Sequence, residues 1–390
     1  MPFDFDTVIE RCDTDCAKWD AIKMRYPGKD ILPMWVADMD FNTAPPIIEA
    51  LKKRAEHGMF GYVLKSPSYN DAVLGWVKRR HGWDLKPEWL CNSPGVVTAL
   101  ALCIHAFTQP GDKVMVQPPV YHPFFRVILS NGRQLVTNPL ILNGEKYTID
   151  FDDLEKKADA GTRMMIISNP HNPIGRLWTR EELDRLGRFC VDHDVVLVSD
   201  EVHCDLVYRG KRHVPTASVS EEVALQTVTC MAPSKTFNLA GLKTSVIIIP
   251  NPKLRRSYQR TLMNLALGGD SAFGVAALEA AYTQGDAWLD ALLVYLEDNM
   301  DFTIRYFQEN APKIKAFRSE ATYLLWLDCR GLGLGPKALD EFMLEKAGVW
   351  LDDGQLFGQG GEGFQRLNFA CPRATLTEGL SRIARAARAL

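Results

Sequence analysis

Val195-Val196-Leu197-Val198-Ser199-Asp200-Glu201 decides the fold of this chain. Three valines and a leucine in an unbroken apolar run, without polar alternation, read as a parallel strand buried on both faces. The two acids that end the run put Asp200 at the carboxyl edge of a sheet, where open α/β folds bind their ligands. A carboxylate at such an edge loses water and needs a cation. Working outward, Ser234-Lys235 follows the strand-like run that starts at Thr227, and Lys235 supplies an amine. Upstream, Asn169-Pro170-His171-Asn172-Pro173-Ile174-Gly175 follows a run that starts at Met164. Its two prolines fix a turn and its glycine releases it, so the Asn172 amide projects at the same edge as Asp200. Each piece has an ordinary explanation: Asp-Glu often caps a helix, Ser-Lys is a common pair, and an asparagine in a turn can bond only its own backbone. The three in this order are far more specific.

The rest of the chain fits an α/β fold. Strand-like runs beginning at Val114, Met164, Val195, Thr227 and Ser245 alternate with helical patterns such as Arg180 to Asp192. After about Gly285 the order changes to a long helix over 288–308, a strand over 322–328, a helix over 336–348 and a strand over 364–370, an α+β pattern. Internal repeats, low-complexity tracts and long linkers are absent from the sequence.

Composition excludes several classes of function. With 390 residues, 46% of them hydrophobic, the chain holds a large core and divides into two domains by length. Its 45 basic and 48 acidic residues leave a net charge of −3, without the basic footprint that nucleic acid or an anionic membrane requires. A small-molecule substrate is expected. Nine cysteines, odd in number and without a C-x-x-C pair, point to reduced thiols in a cytoplasmic protein and to no metal site. Cys12 and Cys16 are expected to share no role. The start of the chain is acidic where a signal peptide is basic and then apolar, and no apolar run has the length of a membrane span.

A buried carboxylate and a lysine at one sheet edge suit pyridoxal 5'-phosphate: the acid pairs with a protonated pyridine nitrogen, and the amine forms a Schiff base with the aldehyde. Ser93-Pro94-Gly95-Val96-Val97-Thr98 precedes an apolar helical run, so the amides of Gly95, Val96 and Val97 offer a helix N-terminus to the phosphate dianion, and Ser234 adds a hydroxyl. These motifs together resemble fold-type I pyridoxal phosphate enzymes, in the aminotransferase class I and II branch.

That resemblance implies more than the residues alone. It implies a large domain over 50–285 with a mostly parallel seven-stranded sheet, and a smaller α+β domain built from 1–49 and 286–390. It gives Asn172 the cofactor's phenolic oxygen. His203 stands where many members carry a tyrosine that reaches the same atom. Tyr121, after Pro118-Pro119-Val120, takes the place of the aromatic ring that stacks on the pyridine and serves catalysis with Lys235 and Asp200. Lys243 replaces the family's usual phosphate arginine as a point charge without a fork, and Ala232 replaces a frequent serine. Tyr62 resembles the tyrosine that crosses a homodimer interface to the partner's phosphate and substrate. Arg366 resembles the arginine that grips the substrate α-carboxylate through paired charge-assisted bonds, with Arg373 ranked second.

Longer segments narrow the resemblance. Leu32 to Phe41, Phe60-Gly61-Tyr62, Ser199 to His203, Ser234 to Asn238, and Arg366-Leu367-Asn368 with Cys371-Pro372-Arg373 resemble the MalY/PatB type of cystathionine β-lyase, over nearly the whole chain. Trp35 then falls beside the substrate. The resemblance implies a carbon–sulfur β-lyase acting on L-cystathionine or cysteine S-conjugates. An aminotransferase of the same fold is the second reading, since the same residues serve both reactions. A third is a nucleotide-binding or regulatory protein without catalysis, drawn from Gly331-Leu332-Gly333-Leu334-Gly335, where Pro336 fills the place that a third glycine would need.

Overall fold

The computed structural model describes residues 3–390. Its larger sheet has seven strands: β1 (Leu90–Ser93), β2 (Lys113–Val116), β3 (Gln134–Thr137), β4 (Thr162–Ser168), β5 (Val196–Asp200), β6 (Thr227–Met231) and β7 (Ser245–Ile248). They lie in the order β1-β7-β6-β5-β4-β2-β3. Strands β2 to β6 pair in parallel, and β7 runs antiparallel to both β6 and β1. The mostly parallel seven-stranded sheet that the resemblance implies is therefore present.

The strands serve two cores at once. Val114, Val116, Met164, Ile166, Val196 and Val198 pack into one apolar cluster, while their neighbours Met115, Met165, Ile167 and Leu197 pack into another on the opposite face. This two-residue period is hidden in the sequence because both faces are covered. Helix α1 (Val96–Phe107) covers the first face and α2 (Arg180–Asp192) the second. Helix α2 starts where expected because Thr179 and Glu182 form a reciprocal capping box, and Leu183, Leu186, Phe189 and Cys190 form its buried side.

The C-terminal part holds α3 (Asp286–Asn310), then β8 (Lys315–Phe317), β9 (Leu324–Asp328), β10 (Asp352–Asp353) and β11 (Phe364–Asn368), and closes with α4 (Arg373–Arg388). The four strands make an antiparallel sheet in the order β8-β9-β11-β10. Strand β9 begins two residues later than the pattern predicts, because Thr322 sits at φ 73, outside the strand region. The predicted helix over 336–348 is α-helical only to Glu341 and continues as a π turn over Phe342–Lys346. One core cluster runs from Phe5 and Met34 through Trp288 and Leu325 to Leu380, and Leu32–Pro33 pairs in parallel with Val349–Trp350. The N-terminal stretch is thereby held against the C-terminal part, beside the carboxyl edge of β5.

Candidate active site

Neighbouring strand ends build the site. In register, Ser168, Asp200 and Cys230 stand side by side at the carboxyl ends of β4, β5 and β6. The chain leaving β6 turns at Pro233 into a short helix, Pro233–Thr236, that carries Lys235. Lys235 and Asp200 line one cavity of about 240 Å³. Among the described residues, the Asp200 carboxylate has a single hydrogen bond, from the Val202 N–H at 3.2 Å. Burial raises its pKa from the usual 3.8 to about 7. Burial also lowers Lys235 from 10.5 to about 8, with Arg366 and Lys243 adding to the effect and Asp38 and Asp200 opposing it. Its Nζ donates to the Ala37 carbonyl at 2.5 Å.

The proline turn places the amide of Asn172 on the cavity wall. The bonds that anchor this turn include Asn169 N–H to the Asp200 carbonyl at 2.9 Å, Asn172 N–H to Ser168 Oγ at 3.1 Å, and Gly175 N–H to the His171 carbonyl at 2.7 Å. Gly175 sits at φ 67, where a Cβ would collide with Ser319, so only glycine fits. Asn172 Oδ1 accepts from Arg366 Nη1 at 2.9 Å, which leaves the Nδ2 end for an acceptor in the cavity. Arg366 itself lies behind this wall on β11, where its Nη2 pairs with Asp352 and donates to the Trp35 carbonyl at 3.1 Å.

His203 is buried with Nδ1 unpartnered, and burial with the nearby Lys235 and Arg366 charges holds its pKa well below 6.5, so the ring is neutral. Tyr121 forms another wall of the cavity. Gly95, Val96, Val97, Ser234 and Lys243 also line the cavity. Gly95, at φ 99, turns its own N–H back to the Ser93 carbonyl at 2.8 Å. The free amides there are consequently those of Val96, Val97 and Thr98, in the first turn of α1, which has no side-chain cap. Gly95 lines the cavity with its N–H bonded within the turn, and it supplies the backbone shape there.

Three other residues lie apart from the cavity. Tyr62 is fully exposed, on a ridge with Met59, Phe60 and Leu64. The Trp35 indole stacks on Trp350 at 4.3 Å, so the carbonyl and not the ring of Trp35 faces the site, through Arg366. Arg373 donates to Asn299 Oδ1 at 2.8 Å and covers the Phe302 ring, away from the cavity.

The sequence reading missed several participants. The Ala37 carbonyl reaches Lys235 and also accepts from the Tyr323 hydroxyl at 3.0 Å. Asn238 and Asn368 tie the same N-terminal stretch down: Asn238 Nδ2 donates to the Met39 carbonyl at 2.8 Å, and Asn368 Nδ2 to the Val36 and Asp38 carbonyls at 2.7 and 2.6 Å. The segments 32–41, 234–238 and 366–368 are distant in sequence yet form one bonded unit. Below the site, Glu201 accepts from His213, Ser199 and Thr216, and Asp205 accepts from His81, Trp76 and Thr236. Both carboxylates are fully paired, so Glu201 supports the strand end that presents Asp200.

The cavity suits pyridoxal phosphate on its own chemistry. Among the described residues it holds a buried carboxylate without a cation in contact, a neutral histidine with Nδ1 unpartnered, a lysine of lowered pKa, and free helix amides.

Comparison with known proteins agrees. The family described as Aminotransferase class I and II matches residues 29–383. Cystathionine β-lyase PatB of Bacillus subtilis (strain 168) is 49% identical over 380 residues, spanning 97% of this chain and 98% of PatB. Protein MalY of Escherichia coli (strain K12) is 34% identical over the full length of both chains. Cystalysin from Treponema denticola, solved with pyridoxal 5'-phosphate, superposes with a TM-score of 0.97 at 38% identity, covering both chains completely. The chain belongs to the aminotransferase class I and II family.

Proposed function

We propose that this protein is a pyridoxal 5'-phosphate-dependent carbon–sulfur β-lyase that cleaves L-cystathionine or related cysteine thioethers into a thiol, pyruvate and ammonia. The convergence of Asp200, Lys235 and Asn172 on one cavity, with Arg366 of the smaller sheet bonded to Asn172 behind its wall, supports this reading, together with close similarity along the whole chain to a cystathionine β-lyase. When bound, pyridoxal phosphate supplies an electron sink for the pair left at the substrate Cα.

The chain's own residues do the rest. Lys235 holds the cofactor and then takes the Cα proton; its lowered pKa keeps part of the amine neutral near pH 7. Asp200 keeps the pyridine nitrogen protonated. Asn172 Nδ2 and His203 would serve the phenolic oxygen, and Tyr121 would hold the ring from the cavity wall. Val96, Val97, Ser234 and Lys243 hold the phosphate, around the turn that Gly95 shapes. Arg366 receives the α-carboxylate. As the Cα proton leaves, the electron pair forms the Cα–Cβ double bond and the C–S bond breaks with its pair on sulfur; the thiolate takes up a proton, and the released 2-aminoacrylate tautomerises and is hydrolysed by one water to pyruvate and ammonia. Tyr62 acts in a partner's site within a homodimer, a reading supported by its full exposure on an apolar ridge. Residues 1–49, of which 1 and 2 lie outside the described residues, and 286–390 make up the proposed small domain, and 50–285 the large one. Among the described residues no helix is long and apolar enough to cross a membrane. The nine free cysteines suit a cytoplasmic enzyme of cysteine and methionine metabolism.

The test is product chemistry. Purified holoenzyme given L-cystathionine without a keto acid should release pyruvate and thiol. Conversion of amino acids only when a keto acid is supplied would make the protein an aminotransferase. Arg366→Ala should raise KM for every amino-acid substrate by the equivalent of about 2–5 kcal/mol, because a buried carboxylate then lacks its partner. Unchanged KM in steady-state assays would remove Arg366 from the substrate site.

A further inference from the structure

We infer that Asp352 is a built-in competitor for the substrate α-carboxylate, a positioning residue that holds Arg366 at rest and limits how tightly the arginine grips. This rests on Arg366 being the carboxylate site proposed above. Asp352 on β10 stands directly opposite Arg366 on β11 in the antiparallel register. Their side chains are only 7% and 3% exposed, and they form a close ion pair through Nη2. Arg366 is the one hydrogen-bond partner of the Asp352 carboxylate among the described residues. The guanidinium lies over the Phe357 ring at 5.0 Å.

Every other bond of the guanidinium is to a neutral group. Nη2 also meets the Trp35 carbonyl, Nη1 meets Asn172 Oδ1, and Nε is buried without a partner. The donors not yet committed are Nε and the second N–H of Nη1. An arriving carboxylate thus meets an arginine whose charge is already opposed by Asp352, near Lys235, the other cation that Arg366 influences. Without the Asp352 charge, Arg366 would be a buried cation with only neutral partners, and the substrate carboxylate would become its sole counter-charge. Removing the charge while keeping the hydrogen-bond acceptor should therefore tighten carboxylate binding. A residue that served only as a strut would do the opposite.

The probe is 3-(methylthio)propanoate, which has the carboxylate and the thioether but no amine to react with the cofactor. Titrated into holoenzyme by calorimetry, it should bind Asp352→Asn roughly 5- to 20-fold more tightly than wild type, and the KM for L-cystathionine should fall without a rise in kcat. Asp352→Glu, which keeps the charge, should not tighten binding. If the Asn variant does not fold, Asp352→Ser carries the same test. Unchanged or weaker binding in a folded neutral variant overturns the proposal, as does equal tightening in Asp352→Glu. If Arg366→Ala binds the probe as well as wild type, the carboxylate site itself is wrong; if it loses the probe while Asp352→Asn behaves like wild type, only the role of Asp352 fails.

Discussion

Lys235→Ala should lose lyase turnover by roughly 10³-fold or more, the loss expected when one group serves as both cofactor anchor and proton acceptor. The amine is placed for both tasks by the backbone around it. Pro233 opens its helical turn, Thr236 is fixed to Asp205 at 2.8 Å, and Nζ already rests on a carbonyl of the N-terminal stretch. Burial brings its pKa to about 8, so the neutral form needed to remove a proton is populated near neutral pH and grows as pH rises. Borohydride reduction of the holoenzyme and peptide mapping should place the pyridoxyl group on Lys235. Lys243, the other lysine of the cavity, is the control. A label mainly on Lys243, or substantial turnover by Lys235→Ala, would move the catalytic amine elsewhere.

Much of this site was legible because its chemistry sits at the ends of strongly apolar strands. The run over 195–200 announces both its burial and its direction, and the turn Asn169 to Gly175 carries its own conformational restraints. Short or polar elements were not legible. Strand β1 is the four residues Leu-Cys-Asn-Ser, β3 is a half-exposed edge, and β10 is a pair of aspartates, so none shows an apolar period. The same limit hid Asp352, whose meaning comes only from lying across the sheet from Arg366. Trp35 was drawn to the substrate by its motif, yet Trp350 captures its ring by stacking, a contact between distant segments. Backbone groups escaped as well. No side-chain pattern points to the Ala37 carbonyl, and the use of the Gly95 amide depends on a positive φ visible only in three dimensions.

Asp200→Asn should keep the fold and lose turnover by about 10²- to 10⁴-fold, because a neutral amide cannot hold the pyridine nitrogen protonated when charge develops at Cα. The substitution is nearly isosteric and keeps an oxygen for the Val202 N–H, so packing is not the cause. A second measurement separates the cofactor role from burial. In the cofactor-free protein the Asp200 pKa is raised from 3.8 to about 7, chiefly by burial. A raised acid contributes stability that is fully present below about pH 4 and is lost as pH rises through about 7. Relative to Asp200→Asn, cofactor-free wild type should therefore lose stability between those pH values in chemical denaturation. Adding pyridoxal phosphate should reverse the order near neutral pH, since the cofactor's pyridinium offers the cation that the ionised carboxylate lacks. Near-normal turnover in the Asn variant would reduce Asp200 to a strand-end cap. Equal stabilisation of both proteins by the cofactor would mean that the carboxylate and the pyridine nitrogen do not meet.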